Sequence, residues 1–172
     1  MNIINLNGGL GNQLFQYSFG MAMKYQFNIE VRFCDKFINS KQLGIQDIFD
    51  VEIQKVLPID IKKTIGSVFI NDQFRNYTLR IIKKLGISKL QNLIVENYYQ
   101  PFTSLPNLKN NFFFGYWQNY NFFYSHMNKI KNNLNFKYPL EKSGKIHDLT
   151  KDYSNIVCLH LRLGDHKTNK NK

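Results

Sequence analysis

Two short segments of the chain carry residue types that could bind or activate a substrate. The first, residues 8–13, has the sequence GGLGNQ and ends in Gly11, Asn12 and Gln13. It lies between an apolar run and a long helical pattern, so its backbone N–H groups should stand at a helix N-terminus, which favours phosphate or another anion. The segment therefore predicts an anion-binding turn, with an ordinary strand-to-helix turn as the alternative.

The same segment partly matches the fingerprint of dinucleotide-binding proteins. Gly9 and Gly11 fit its first two glycines, but Leu14 occupies the position of the third. Asp35, at the end of the next apolar run, could imitate the acid that binds a ribose. A dinucleotide-binding oxidoreductase fragment is thus one hypothesis.

The second segment, residues 160–165, contains His160, Arg162 and Asp165. It ends a strand-like run, residues 155–163, whose alternation places His160 and Arg162 on one face. Arginine suits bidentate contact with phosphate, the histidine can donate or accept a hydrogen bond, and the aspartate could orient either. A purely structural Arg–Asp pair is the alternative.

The elements that would position these residues follow an α/β pattern. A strand at residues 3–6, a glycine turn, a helix over 14–27 and a strand over 29–34 predict a βαβ unit in a parallel sheet, with Gly20 allowing close approach to the helix. Residues 93–95 and 112–114 are further strand-like runs. Residues 77–90 predict a basic amphipathic helix broken near Gly86, and Asn119 or Asn121 should cap a helix that continues to residue 130.

Composition limits the class of protein. The chain has 172 residues with 43% hydrophobic content, which predicts one domain or one domain with the beginning of another. Cys34 and Cys158 form no C-x-x-C pair, which excludes a zinc knuckle, and both should be small buried side chains. The chain shows no apolar run long enough to cross a membrane and no leader pattern, which predicts a cytoplasmic protein.

The net charge of +11 comes from 23 Lys and Arg against 12 Asp and Glu, and the excess lies beyond residue 50. Such a surplus favours nucleic acid, an anionic membrane surface or a phosphorylated small molecule as partner, although general composition bias explains it equally well. A basic nucleic-acid-binding module that uses the aromatics of residues 112–124 is a second hypothesis, but no recognised nucleic-acid-binding signature is present.

Three motifs in order suggest a more specific function. They are GGLGNQLFQY at residues 8–17, GYWQ at 115–118 followed by Phe122 and Phe123, and H-x-R-x-G-D at 160–165. Together they resemble the bacterial α-1,2-fucosyltransferases of glycosyltransferase family 11, and the resemblance covers nearly the whole chain. It implies a two-domain GT-B fold and an inverting, metal-independent transfer of fucose from GDP-fucose to the 2-hydroxyl of a galactose-containing acceptor glycan. It further implies a cytoplasmic enzyme of surface polysaccharide synthesis and leaves open a peripheral contact with the inner face of the membrane.

The resemblance also implies roles for single residues. Gly11, Asn12 and Gln13 correspond to the substrate-binding glycine loop at the interdomain cleft, and Arg162 corresponds to an arginine on the GDP diphosphate. His160 and Asp165 correspond to supporting groups, and the catalytic residue itself is not identified. No metal and no cofactor other than the donor substrate is expected.

Two departures from the family pattern affect the expected activity. Leu163 occupies the position where the family has a second arginine, and a second domain normally follows. The sequence thus predicts a truncated enzyme: a Rossmann-like domain over residues 1–150, the first strand of the donor-binding domain over 151–166 and a disordered tail over 167–172. Little or no transfer activity is expected from this chain, because too few positive charges would stabilise the leaving diphosphate.

Overall fold

The computed structural model describes residues 1–36, 38, 42–66, 81, 84–85, 89–96 and 102–137. All of them belong to the first of the chain's two compact units, Met1–Tyr138. The second unit, Pro139–Lys172, lies outside the described residues, and so do the predicted strand of His160 and Arg162, Asp165, Cys158 and the predicted tail.

Two β-sheets organise the described residues. The strands are β1 (Asn2–Asn5), β2 (Val31–Cys34), β3 (Phe49–Asp50), β4 (Lys89–Leu90), β5 (Leu93–Val95), β6 (Phe112–Phe114) and β7 (Asn135–Phe136). The larger sheet has the order β2-β1-β6-β5-β4, in which the first four strands are parallel and β4 is an antiparallel edge. Strands β3 and β7 form a separate antiparallel pair. The predicted α/β class is confirmed, and the parallel sheet is Rossmann-like.

Helix α1 (Leu10–Phe27) connects β1 to the parallel strand β2, which confirms the predicted βαβ unit. It begins four residues before the predicted start, and its C-cap is Asn28, whose φ of 51° is left-handed. Gly20 brings the helix close to the sheet, because a Cβ there would lie 2.9 Å from the Phe33 ring and 3.0 Å from Ile4 Cγ1. The expected close approach at Gly20 is therefore confirmed.

The core against α1 is rich in aromatic rings. Trp117 is fully buried, and its ring stacks on Phe19 with centroids 4.5 Å apart and planes 8° apart. Phe113 of β6 and Phe122 meet Phe19 edge to face, at 5.6 and 5.3 Å. Such offset and edge contacts add to the stabilisation from burial alone. The loop that follows β6 is thereby anchored to the helix that follows β1.

The other helices whose bounds lie within the described residues are short. They are α2 (Ile45–Ile48), α3 (Pro58–Ile65) and α4 (Met127–Asn132), and the described residues hold no helix long and apolar enough to cross a membrane. The helix predicted after Asn119 is divided: Asn119 Oδ1 accepts from the Asn121 N–H at 3.1 Å and caps a 3₁₀ turn, Tyr120–Phe122, and a second turn, Tyr124–His126, precedes α4.

The predicted basic helix over residues 77–90 is wrong at its end. Lys89–Leu90 is the edge strand β4, which pairs with β5 in register Leu90↔Leu93. Pairing with the neighbouring strand thus prevails over the helical spacing of the apolar residues. Most of residues 77–88, including Gly86, lie outside the described part of the chain.

Candidate active site

The four parallel strands all end at the same edge of the sheet, which we call the carboxyl edge. Strand β1 leads there into Asn7 and Gly8, β2 into Asp35, β5 into Glu96 and β6 into Gly115. Open α/β sheets bind ligands outside these ends, where the strand order changes direction. The chain passes from β1 to β2 on one side, whereas β6 borders β1 on the other. The candidate site therefore lies between β1 and β6.

The glycine turn lies at this position. Gly8 has a φ of +74°, and a Cβ there would lie 2.6 Å from Asn12 Nδ2. Gly9 is the N-cap of α1, no side chain caps the helix, and no acidic residue occupies its first turn. The N-terminus of α1 is thus electropositive at the carboxyl edge.

The glycines of the turn differ in the space around them. Gly11 is exposed on the first turn of α1, and a Cβ there would meet nothing within 4 Å. The described residues therefore leave room for a Cβ at Gly11, and a contact between this turn and a ligand stays a prediction. Gly8, with its left-handed backbone, is the constrained glycine of the turn.

Gln13 is buried, and backbone groups occupy its amide. Its Nε2 donates to the carbonyls of Gly8 and Leu43, each at 3.0 Å, and its Oε1 accepts from the Ile45 N–H at 2.9 Å. These bonds join the glycine turn to the start of α2. Contact of Gln13 with a substrate stays a prediction, and its hydrogen bonds favour a positioning role.

Gln16 makes a second buried connection that the sequence did not indicate. Its Nε2 donates to Asn7 Oδ1 at 2.6 Å and to the Gly115 carbonyl at 2.8 Å, and its Oε1 accepts from the Asn7 N–H at 2.9 Å. The segments that follow β1 and β6 are thus held together by one side chain. The position of Gln16 one helical turn after Asn12 was the available signal.

Glu96 holds the loop after β6. Its two carboxylate oxygens accept from the backbone N–H groups of Tyr116 at 2.6 Å and Trp117 at 3.0 Å. The signal in the sequence was an isolated acid directly after a strand-like run, with no other Asp or Glu before Glu141. Hydrogen bonds to an ionised acceptor are stronger than neutral ones, so this loop is firmly held.

Asn12 lies at the surface of the site and meets a residue from the loop after β6. Its Oδ1 accepts from Gln118 Nε2 at 2.7 Å, and the Gln118 side chain is exposed. Of the sequence-predicted residues, the structure thus brings Gly11, Asn12 and Gln13 to the carboxyl edge. His160, Arg162 and Asp165 lie outside the described residues.

The Asp35 carboxylate forms an ion pair with Lys55. Its Oδ2 lies 2.7 Å from Lys55 Nζ, and both side chains are partly exposed. The pair borders a cavity of about 200 Å³ next to α2, which is also lined by Leu6 and Ile45. The fit of Asp35 to a ribose-binding acid is weakened, since a lysine already occupies its carboxylate. Within the described residues no cluster of three or more His, Cys, Asp or Glu side chains could hold a metal ion.

Comparison with known proteins identifies the family. The profile described as Glycosyl transferase family 11 matches residues 1–172. The chain belongs to glycosyltransferase family 11. The resemblance carried by the three motifs is thereby confirmed.

One curated relative of this family 11 chain is an α-1,2-colitosyltransferase of Escherichia coli. The two are 25% identical over 178 residues, an alignment that covers 97% of this chain and 56% of the relative. The chain thus spans little more than half the length of that relative. No solved structure matched the chain significantly.

Proposed function

We propose that this chain supplies the N-terminal domain of an α-1,2-fucosyltransferase with a GT-B fold. The enzyme transfers fucose from GDP-fucose to the 2-hydroxyl of a galactose-containing acceptor glycan, with inversion and without a metal ion. The observation that carries the proposal is family 11 membership over residues 1–172, in a chain whose glycine turn stands at the carboxyl edge. The amide side chains at this edge offer the donors and acceptors that sugar hydroxyls need.

The carboxyl edge contributes hydrogen bonds and a helix N-terminus to this reaction. Asn12 binds substrate at the surface of the edge, and Gln13 holds the glycine turn in place from below. The open N-terminus of α1 favours the negative charge that develops on the leaving diphosphate. Described residues thus supply orientation and part of the electrostatic stabilisation.

The remaining charge comes from the second motif. Arg162 binds the GDP diphosphate, and His160 and Asp165 support it. A metal-independent transfer needs several fixed positive groups at the leaving group. Leu163 provides none beside Arg162, so little or no turnover is expected from this chain alone.

The proposed reaction belongs to the synthesis of surface glycans. GDP-fucose is a cytoplasmic donor, so the enzyme acts in the cytoplasm or at the inner face of the membrane. The net charge of +11 suits an anionic lipid surface and a phosphorylated donor alike. The alternative functions are a dinucleotide-binding oxidoreductase and a nucleic-acid-binding module. They are tested with NAD and with an oligonucleotide.

The test measures the binding of four probes to the purified chain: GDP-fucose, methyl β-galactoside, NAD and a short oligonucleotide. We expect saturation-transfer NMR signals from the first two, and little or no GDP release above a heat-inactivated control when both are present. Binding of NAD or the oligonucleotide, with no signal from either sugar probe, would overturn the proposal.

A further inference from the structure

The loop that follows β6 has a conformation that depends on Glu96. Both carboxylate oxygens accept backbone N–H groups, from Tyr116 at 2.6 Å and Trp117 at 3.0 Å. Gly115 is required at the start of the loop, because a Cβ there would lie 2.3 Å from Glu96 Cβ. The carboxylate and the loop backbone thus fit closely together.

Trp117 fixes the other side of the loop. Its φ of 56° is left-handed, and its fully buried ring stacks on Phe19 of α1. A bulky residue holds this backbone conformation only where its surroundings determine it. The turn at Trp117 directs the next residue, Gln118, out of the core and onto Asn12 of α1.

The Asn12–Gln118 contact leaves amide donors and acceptors side by side. The hydrogen bond of 2.7 Å joins the Gln118 nitrogen to the Asn12 oxygen, so the Asn12 NH₂ and the Gln118 carbonyl have no hydrogen-bond partner among the described residues. If both amides are flipped, the remaining groups exchange residues but their kinds stay the same. A hydroxyl both donates and accepts, so this amide pair is complementary to an alcohol.

We propose that Gln118 is a further substrate-binding residue, which forms with Asn12 a subsite for a sugar hydroxyl, and that Glu96 is the positioning residue for this subsite. The proposal rests on the proposed function and deepens it, because it names the groups that recognise the sugar. The hydroxyl belongs either to the fucosyl group of the donor or to the galactoside acceptor. Affinities for the two probes distinguish these sources.

The first experiment replaces the exposed amide. Gln118→Ala should lower the affinity for GDP-fucose or for methyl β-galactoside by about threefold to tenfold, as expected for one net hydrogen bond. The melting temperature should stay within about 1 °C of the parent value, because Gln118 is exposed. Gln26→Ala, at an exposed glutamine near the other end of α1, is the matched control and should change neither quantity.

The two proposals fail in different ways. A parent chain that binds neither probe overturns the proposed function and the subsite together. A parent that binds, with equal affinities in Gln118→Ala, overturns the subsite alone. The probe whose affinity falls identifies the sugar that the amide pair contacts.

The second experiment tests Glu96. Glu96→Gln places an NH₂ group against a backbone N–H, and the exposed Glu52→Gln is its control. Trp117 is the one tryptophan of the chain, so its fluorescence reports this loop. We expect a red shift of the emission and faster amide exchange at Tyr116 and Trp117 in Glu96→Gln, with neither effect in the control.

A double variant separates positioning from general stability. If Glu96 acts on the sugar through Gln118, Glu96→Gln should lower the affinity for the sugar probe in the parent background. The same substitution should cause no further loss of affinity in the Gln118→Ala background. Losses that simply add in the double variant, or an unchanged loop in Glu96→Gln, would overturn the positioning role.

Discussion

At the scale of single residues, the candidate site is held by amide side chains. The Gln13 and Gln16 side chains are buried and each makes three hydrogen bonds, mostly to backbone groups of different segments. A glutamine offers both donors and acceptors without the desolvation cost of a charge, so it can be buried between loops. The edge can therefore be rigid and still neutral, apart from Glu96 and the Asp35–Lys55 pair.

Gly8 and Gly11 should respond differently to alanine. Gly8→Ala should lower the free energy of unfolding by about 1–2 kcal/mol, because the φ of +74° is costly for an L-residue and the Cβ would meet Asn12. Gly11→Ala adds a Cβ in open space on a helix and should be neutral or stabilising by up to about 1 kcal/mol. Urea denaturation of both variants gives the comparison, and equal effects would contradict it.

Arg162 remains a prediction that can be tested directly. If it binds the diphosphate, GDP should raise the melting temperature of the parent and fail to raise that of Arg162→Ala. Lys137→Ala removes a cation outside the motif and should keep the protection. Equal protection by GDP in the parent and in Arg162→Ala would remove the assignment.

The residues of the site were predictable from sequence to different degrees. The glycine turn and Asn12 could be found, because the short motif lies between a strand pattern and a helix pattern. Gln16 and Glu96 could not be assigned, since the Gly115 carbonyl that Gln16 contacts and the N–H groups that Glu96 contacts lie about 100 and 20 positions away. Such partners follow from strand order, which local patterns do not specify.

At the scale of elements, the contact between α1 and the sheet depends on Gly20. Gly20→Ala should lower the free energy of unfolding by about 1–3 kcal/mol, because the added methyl group overlaps Phe33 and Ile4. Ser18→Ala, also on α1, adds no atoms and is the control. Thermal or urea unfolding measures both variants, and a Gly20→Ala variant as stable as the parent would show that the helix can move away without cost.

Element patterns predicted the parallel unit better than the later segments. The β1-α1-β2 unit follows from neighbouring runs of clear periodicity, and it formed as expected. The helix after Asn119 was predicted as continuous. In the structure Phe122 and Phe123 are both buried, and two 3₁₀ turns precede α4. Two adjacent buried rings cannot lie on one narrow helix face.

At the scale of the whole molecule, alkaline stability should depend on Tyr17. Burial raises the pKa of Tyr17 above 10.0, partly offset by a hydrogen bond with Asn133, and Tyr25 raises it further. The folded state therefore keeps a proton that the unfolded state loses, so the stabilisation is complete below pH 10 and is lost as the pH rises through the folded pKa.

Tyr17→Phe isolates this effect. Near pH 8 the difference in melting temperature between the parent and Tyr17→Phe sets the reference value. From pH 10 to 11 the parent should lose melting temperature relative to Tyr17→Phe, because the variant has no phenol at this buried position. A difference that stays constant over this range would contradict the raised pKa.

The position of β1 in the middle of the sheet has a consequence during synthesis on the ribosome. Strand β1 can pair with β2 once residue 34 has emerged, but its other neighbour is β6, with Ile3 opposite Phe112. At about 5–20 residues per second, that second partner follows roughly 4–16 seconds later. During this interval a buried-type strand presents an open hydrogen-bonding edge, which in a crowded nascent chain invites wrong pairing. The order of strands thus leaves one edge of β1 unpaired until β6 has been synthesised.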